Sequence, residues 1–317
     1  MFHSFYKKRN VILFQGEKAL LNHKQYFEGW YFKNMNDNFG ISFIPGINIT
    51  PQSKKAFIQI ITKDTSSFVS YPIEKFIYHE KPFSIQIEHN LFTKDYMHIC
   101  IEDSSQNLHI HGKMDYSNHT DIKNNIFYPN IMGPFSYLPF MECNHAILSM
   151  KSQVNGNLNI NEKKFLFSND TGYIEKDWGY SFPKKYIWCQ GNEFQNPHAS
   201  FLLSIADVPL KLFTFQGFIC ILKLKDKEYK FTSYNASKLE LYEVGKTSVH
   251  VVLKKGDYSL TISSDLNTLN HSLMAPVQGM MKRTVFENIT SSLYLTLKKK
   301  DQILFQDHSK NCGLEIG

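Results

Sequence analysis

Apolar and polar residues alternate with a period of two along most of the chain. The runs 84–88 (SIQIE), 97–101 (MHICI), 108–111 (LHIH) and 248–253 (SVHVVL) are examples, and 258–262 and 291–297 repeat the pattern. Successive side chains of an extended backbone point to opposite faces, so such runs predict half-buried β-strands. Turn-forming residues lie between them at 36–38 (NDN), 155–156 (NG) and 255–257 (KGD). The strands recur about every 8 to 12 residues, the spacing of sandwiches and barrels. No stretch of a dozen residues keeps a helical period, and 124–140, with three prolines and one glycine, is irregular. The pattern predicts an all-β chain with at most a few short helices.

A length of 317 residues suggests two domains. Residues 154–165 read as a closing hairpin, followed by turn-rich 168–172 and a new element at Tyr173. That places a seam near 170, with domains 1–170 and 171–317. The two halves echo each other. Tyr26-Phe-Glu-Gly-Trp-Tyr-Phe-Lys33 and Glu175-Lys-Asp-Trp-Gly-Tyr-Ser-Phe182 both set an acid two or three residues before a tryptophan, then aromatics. The echo suggests a duplicated barrel. Trp30 also has a purely structural reading, an indole that plugs one end of a barrel.

Several classes are excluded. The longest apolar run, 201–222, is broken by Asp207, Pro209 and Lys211, whereas a membrane helix needs about 20 mostly apolar residues. It reads as two strands joined at 207–209. The first residues hold too short an apolar stretch for a signal peptide. The 5 cysteines are far apart and form no CxxC, which fits reduced thiols in a cytoplasmic protein. The net charge of +6 is carried by scattered lysines without a basic stripe, so no nucleic-acid partner is expected. Peripheral contact with an anionic membrane surface stays open. No phosphate-binding glycine loop or Gly-x-Ser-x-Gly elbow is present, which argues against nucleotide-dependent enzymes and serine hydrolases.

Composition adds one emphasis. The chain has 26 Phe, 17 Tyr and 3 Trp, against a charged fraction of 20%. Segment 172–192 concentrates Tyr173, Glu175, Asp177, Trp178, Tyr180, Tyr186 and Trp188. Acids beside large apolar rings are desolvated, which keeps a carboxyl protonated and fit to act as a general acid. The faces of the rings attract cations. The alternative is a solvated loop in which Glu175 and Asp177 pair with Lys176, Lys184 or Lys185. In 134–148, Glu142 and His145 are within reach of each other or of a metal if the segment turns, and face opposite sides if it is a strand. A buried, hydrogen-bonded His145 is the plainer reading. His109 and His111 share a strand face, but no third ligand for a metal is evident and zinc needs three or four. No metal and no cofactor are expected.

Blocks in order along nearly the whole chain resemble the tocopherol cyclase family. They are Phe27-Glu-Gly-Trp-Tyr-Phe-Lys33, Met141-Glu-Cys-Asn-His-Ala-Ile-Leu-Ser149, Gly172-Tyr-Ile-Glu-Lys-Asp-Trp-Gly-Tyr-Ser-Phe-Pro-Lys184 and Tyr186-Ile-Trp-Cys-Gln-Gly-Asn192. Phe201–Ala206, Leu273–Met280, Phe286–Asn288 and Gly313–Glu315 continue the series. The resemblance implies two tandem lipocalin-like antiparallel β-barrels. It also implies an isomerase that protonates an alkene of a prenylated quinol so that the phenol oxygen closes a chromanol ring, without a cofactor. More distant relatives hydrate carotenoid double bonds. On motif position, Asp177 or Glu175 would supply the proton, and Glu142 or His145 would accept the phenolic proton. Trp30, Tyr173, Trp178 and Trp188 would face the cation, with Glu28, Tyr31 and Tyr186 beside the substrate. The partner implied is a hydrophobic prenyl lipid. The abundance of Lys, Asn, Ile and Phe resembles the proteins of AT-rich bacterial genomes. The competing reading is a non-catalytic lipocalin-like carrier of an apolar isoprenoid or lipid.

Overall fold

The computed structural model describes residues 12–22, 24–125, 127–138, 141–210, 213–266 and 271–317. The chain divides into two units, Met1–Phe182 with Leu273–Thr284, and Pro183–Ser272 with Val285–Gly317.

The first unit carries a short helix α1 (Glu17–Asn22) and strands β1 (Tyr26–Met35), β2 (Gly40–Ile49), β3 (Lys54–Thr62), β4 (Ser66–Pro72), β5 (Phe76–Glu80) and β6 (Phe83–Ile87). β7 (Asn90–Phe92), β8 (Tyr96–Asp103), β9 (Leu108–Ser117), β10 (Cys143–Ile160) and β11 (Lys163–Gly179) complete it. Among the described residues these strands form one 11-stranded antiparallel sheet, ordered β4-β3-β2-β1-β11-β10-β9-β8-β7-β6-β5. The two ends of that order, β4 and β5, do not pair with each other. The inward positions of nearly every strand, including Trp30, Phe32, Phe43, Ile58, Ile99, Met114 and Ile174, meet in one apolar cluster. A sheet whose strands all feed one core must curl around it.

The second unit contains β12 (Tyr186–Gly191), β13 (Ala199–Leu210), β14 (Phe213–Leu224), β15 (Lys227–Thr232), β16 (Lys238–Val244), β17 (Ser248–Lys255) and β18 (Tyr258–Asp265). β19 (His271–Val277) and β20 (Met280–Lys299) straddle the division, Leu273–Thr284 counting with the first unit, and β21 (Gln302–Ile316) closes the second. The second sheet runs β15-β14-β13-β12-β21-β20-β18-β17-β16, with β19 paired to β20. Its core gathers Ile187, Phe201, Leu203, Cys220, Val251, Leu260, Leu295 and Leu314. The architecture is all-β, with two large antiparallel sheets. The alternating runs fall on β6, β8, β9, β17, β18 and β20. In β8, for example, Met97, Ile99 and Ile101 are fully buried while His98 and Glu102 are exposed.

Several local expectations are corrected. Asn155-Gly156 is not a turn. β10 runs through it with a register shift between Val154 and Gly156, and the chain reverses beyond Ile160, at Asn161. Gly156 has φ +148, and a Cβ there would lie 2.1 Å from the Lys113 carbonyl oxygen, so the bulge admits only glycine. The expected seam at 170 and the new element at Tyr173 both fall inside β11, a 17-residue strand hydrogen-bonded on both edges. The break lies after Phe182 instead. The joint expected at 207–209 is also strand. β13 pairs with β14 through Asp207↔Gln216 and Pro209↔Thr214, and Lys211, proposed as one of the breaks in that run, lies outside the described residues, as do 139–140 of the irregular segment.

The echoing segments 26–33 and 175–182 lie side by side over Phe27–Tyr31 and Glu175–Gly179. The two segments are neighbours in one sheet, paired Glu28↔Trp178, Trp30↔Lys176 and Tyr31↔Glu175.

Candidate active site

The centre of the first sheet is the β1–β11–β10 trio. β11 alternates sharply, because Ile174, Lys176 and Trp178 share a face with Trp30 and Glu28 while Tyr173, Glu175 and Asp177 take the other. Across the ladder, Tyr31 lies opposite Glu175, and His145 opposite Asp177. Five residues singled out from the sequence therefore converge on the face turned away from the apolar core.

His145 is the hub. Its Nδ1 lies 2.7 Å from Asp177 Oδ1 and its Nε2 lies 3.4 Å from Glu175 Oε2. The first distance is a hydrogen bond and the second an ion-pair distance. Tyr173 donates its hydroxyl proton to Glu175 Oε2 over 2.5 Å. Burial, reinforced by the adjacent Glu175 charge, pushes the Tyr173 hydroxyl well above its usual range, so this phenol stays a donor at any working pH. Ser42 Oγ donates to Tyr31 Oη at 3.0 Å, and the Tyr31 and Tyr173 rings meet edge-on with centroids 6.4 Å apart. Cys143 Sγ approaches Asp177 Oδ1 at 4.0 Å. The side chains of Glu175 and His145 are 6% and 11% exposed, against 24% for Asp177. Asp177 is thus the most open member of the cluster. One donor atom from each of His145, Glu175 and Asp177 lies within 4.8 Å of the others, a spacing that could also hold a cation.

The opposite face holds a different cluster. Lys176 Nζ sits 2.6 Å from Glu28 Oε1, with both side chains fully buried. It also donates to the Leu13 carbonyl at 2.5 Å. Glu28 accepts from the Gln15 amide at 3.0 Å and from the Tyr26 hydroxyl at 2.6 Å. The ammonium lies 4.8 Å from the Trp30 ring and 4.9 Å from that of Trp178. Glu28, Trp30 and Trp178, expected beside the substrate, are grouped here around a cation of the protein's own, across the sheet from His145.

Glu142 precedes β10. Its backbone oxygen accepts from the Tyr180 amide at 3.0 Å, and its charge adds to the burial that raises the Tyr180 hydroxyl pKa. Tyr186 and Trp188 belong to the second unit, on β12. The Tyr186 hydroxyl donates to Glu315. Gly313 is bare because a Cβ there would lie 2.5 Å from the Trp188 ring. The residues missed from sequence are Ser42, Cys143 and buried Lys33, which lies opposite Tyr173. Counting in twos from Tyr31 and from His145 finds Lys33 and Cys143.

Fold and site together define an all-β protein with a carboxylate–imidazole–carboxylate cluster buried on one face of a large antiparallel sheet. Residues 123–317 match the tocopherol cyclase-like family, and the chain belongs to that family. No curated protein matches it in sequence. Among solved structures, it is similar to CghA in complex with Sch210972, with a TM-score of 0.57 and 8% identity over 92% of this chain and 88% of that one. It is also similar to a protein of Nitrosomonas europaea named as a candidate AttH (NE1406), with a TM-score of 0.51 and 8% identity over 94% and 93% of the two chains. At such identity the likeness concerns the fold alone. Among the described residues no helix is long and apolar enough to cross a membrane.

Proposed function

We propose that the protein is a cyclase built on two lipocalin-like β-barrels, one around each core, that closes a ring in a prenylated quinol by protonating its alkene. The observation that carries this reading is His145 held between Asp177 and Glu175, nearly out of water, in a member of the tocopherol cyclase-like family. Asp177, the most open of the three, gives its proton to the alkene carbon. The phenol oxygen attacks the tertiary cation, and the phenolic proton returns to Asp177 through His145. One C–H and one C–O bond form, one O–H bond and one π bond are lost, and the acid is regenerated, so the reaction balances as an isomerisation. Tyr173 fixes Glu175, which in turn orients the imidazole. The Tyr31 ring lies on the same face, where it can stabilise the cation.

Incubation of the purified protein with a prenylated hydroquinone tests the proposal by liquid chromatography and mass spectrometry. A product of unchanged mass and shifted retention supports cyclisation. A gain of water identifies a hydratase, and bound, unchanged quinol identifies the carrier. Because the three groups are also spaced for a cation, the assay is repeated after chelation. Activity that survives supports proton transfer; activity lost and restored by a divalent ion overturns it.

Gly29 gives an independent check on where the substrate lies. It pairs with Asp177 across the ladder, and among the described residues a Cβ there would meet Ile44 Cγ2 at 3.5 Å and the Pro45 carbonyl at 3.8 Å. These are ordinary contacts, so Gly29→Leu is expected to fold while filling the space beside the acid. KM should rise on the order of tenfold with a smaller change in kcat, measured by steady-state kinetics.

A further inference from the structure

On the face of the first sheet that carries the acids, Asp177 on β11, Gly29 on β1 and Ile44 on β2 are neighbours that stay partly open. The side chains around them are closed off, with Phe27 3%, Tyr31 7%, Phe57 2% and Gln59 4% exposed. Register explains the opening. His145, Asp177, Gly29, Gly46 and Phe57 form one row across β10, β11, β1, β2 and β3. Glycines on two adjacent strands leave the sheet with a bare floor beside Asp177. Above Gly29 there is room, since a Cβ would meet its nearest atoms at 3.5 and 3.8 Å. Above Gly46 the space is taken, because a Cβ would lie 2.6 Å from Phe57 Cζ. The Phe57 ring therefore reaches back over Gly46 and closes the row, and it stacks on Phe68 at 5.3 Å. Gln59, on the same face of β3, donates to the Met274 carbonyl at 3.0 Å and accepts from the Met274 amide at 2.9 Å. That pins a segment of the same unit beside the ring.

We propose that this row is the subsite for the isoprenoid tail, and that Phe57 sets how long a chain it accepts. The proposal rests on the cyclase reading, which puts the reacting alkene at Asp177 and the phenol toward His145. The rest of the chain then leaves on the opposite side, over Gly29. Ile44 and Phe57 give that path apolar walls, and the bare glycine lets a methyl-branched chain lie close to the backbone. The path ends at the Phe57 ring, two strand spacings or about 10 Å from Asp177. A chain that stops short of the ring is covered along its length. Each further unit meets the ring and gains no burial.

The probes are hydroquinones bearing saturated isoprenoid chains of one to four units, which lack the reacting alkene, with affinity read by isothermal titration calorimetry. In the wild type, affinity is expected to rise about tenfold or more per added unit and to stop rising by the third. Phe57→Ala should carry the rise on to the fourth unit, and Phe57→Leu, which keeps more of the buried volume, should fall between. Gly29→Leu should end the rise one unit earlier than in the wild type. A wild type that binds none of the probes, or whose affinity climbs through all four, overturns the assignment. So does a limit that neither Phe57→Leu nor Gly29→Leu shifts. Turnover of the unsaturated quinol judges the cyclase reading separately. A limit that shifts in the variants without any cyclisation keeps the subsite and removes the cyclase, whereas cyclisation with an unshifted limit does the reverse.

Discussion

Asp177→Asn is expected to lower turnover of a prenylated hydroquinone by about 10²- to 10⁴-fold, the usual worth of a positioned general acid. The substitution is nearly isosteric. The Asn carbonyl oxygen can still accept from His145 Nδ1, which lies 2.7 Å from the present carboxylate oxygen, so the imidazole keeps its place. What disappears is a group able to hand over a proton and take it back. Binding of the quinol should change little, so the loss falls on kcat, and Tm should stay close to that of the wild type. Glu175→Gln tests the partner carboxylate. It is nearly sealed and accepts from Tyr173, so its loss is expected to be smaller and to include a stability cost. If Asp177→Asn keeps full turnover while Glu175→Gln abolishes it, the proton comes from Glu175. If both variants turn over normally, proton donation by this cluster is wrong.

The strands were legible because alternation is a local property, as 97–101 in β8 and 258–262 in β18 illustrate. The identity of the site residues was legible in part. Asp177, Glu175, Tyr173, Tyr31 and His145 carry recognisable chemistry, and all five meet on one face. Their grouping was not. Trp30 and Trp178 were expected with the acids because they are adjacent in sequence, yet a shift of one residue along a strand changes face. The same rule applied within 173–178 would have separated odd from even positions. The contact between His145 and Asp177 depends on a register set across 32 residues, and no local pattern encodes it. The alternative from sequence makes Lys176, Lys184 or Lys185 a surface partner for Glu175 and Asp177, whereas Lys176 is fully buried. Its burial depends on Glu28 and on the Leu13 carbonyl, 163 positions away. Asn155-Gly156 is a turn signal that pairing on both sides overrides, and the glycine is used for close approach to Lys113 instead.

Lys176→Met is expected to destabilise the first unit by about 3 to 5 kcal/mol, the range for removing one partner of a buried ion pair. In a unit of this size that corresponds to a fall in Tm on the order of 10 °C. Met fills much of the volume of the Lys stem, so lost packing is a minor part. The main cost is Glu28, fully buried with its countercharge removed, still receiving the Gln15 amide and the Tyr26 hydroxyl. Trp30 and Trp178 also lose the cation between their rings. Glu28→Met/Lys176→Met removes both charges and should recover part of the loss, since no uncompensated ion remains. A double-mutant cycle by chemical denaturation measures this as a favourable coupling between the two side chains. The order of stability expected is wild type, then the double variant, then Lys176→Met. A Lys176→Met protein within about 1 kcal/mol of wild type would instead show that this face tolerates a lone carboxylate. In that case the conductor of the pair is the hydrogen bonding from Gln15 and Tyr26 rather than the ammonium. Because Lys176 alternates with Glu175 and Asp177 along β11, loosening this face would also shift the acid cluster on the other. Lys176→Met should therefore lose turnover at temperatures well below its own Tm.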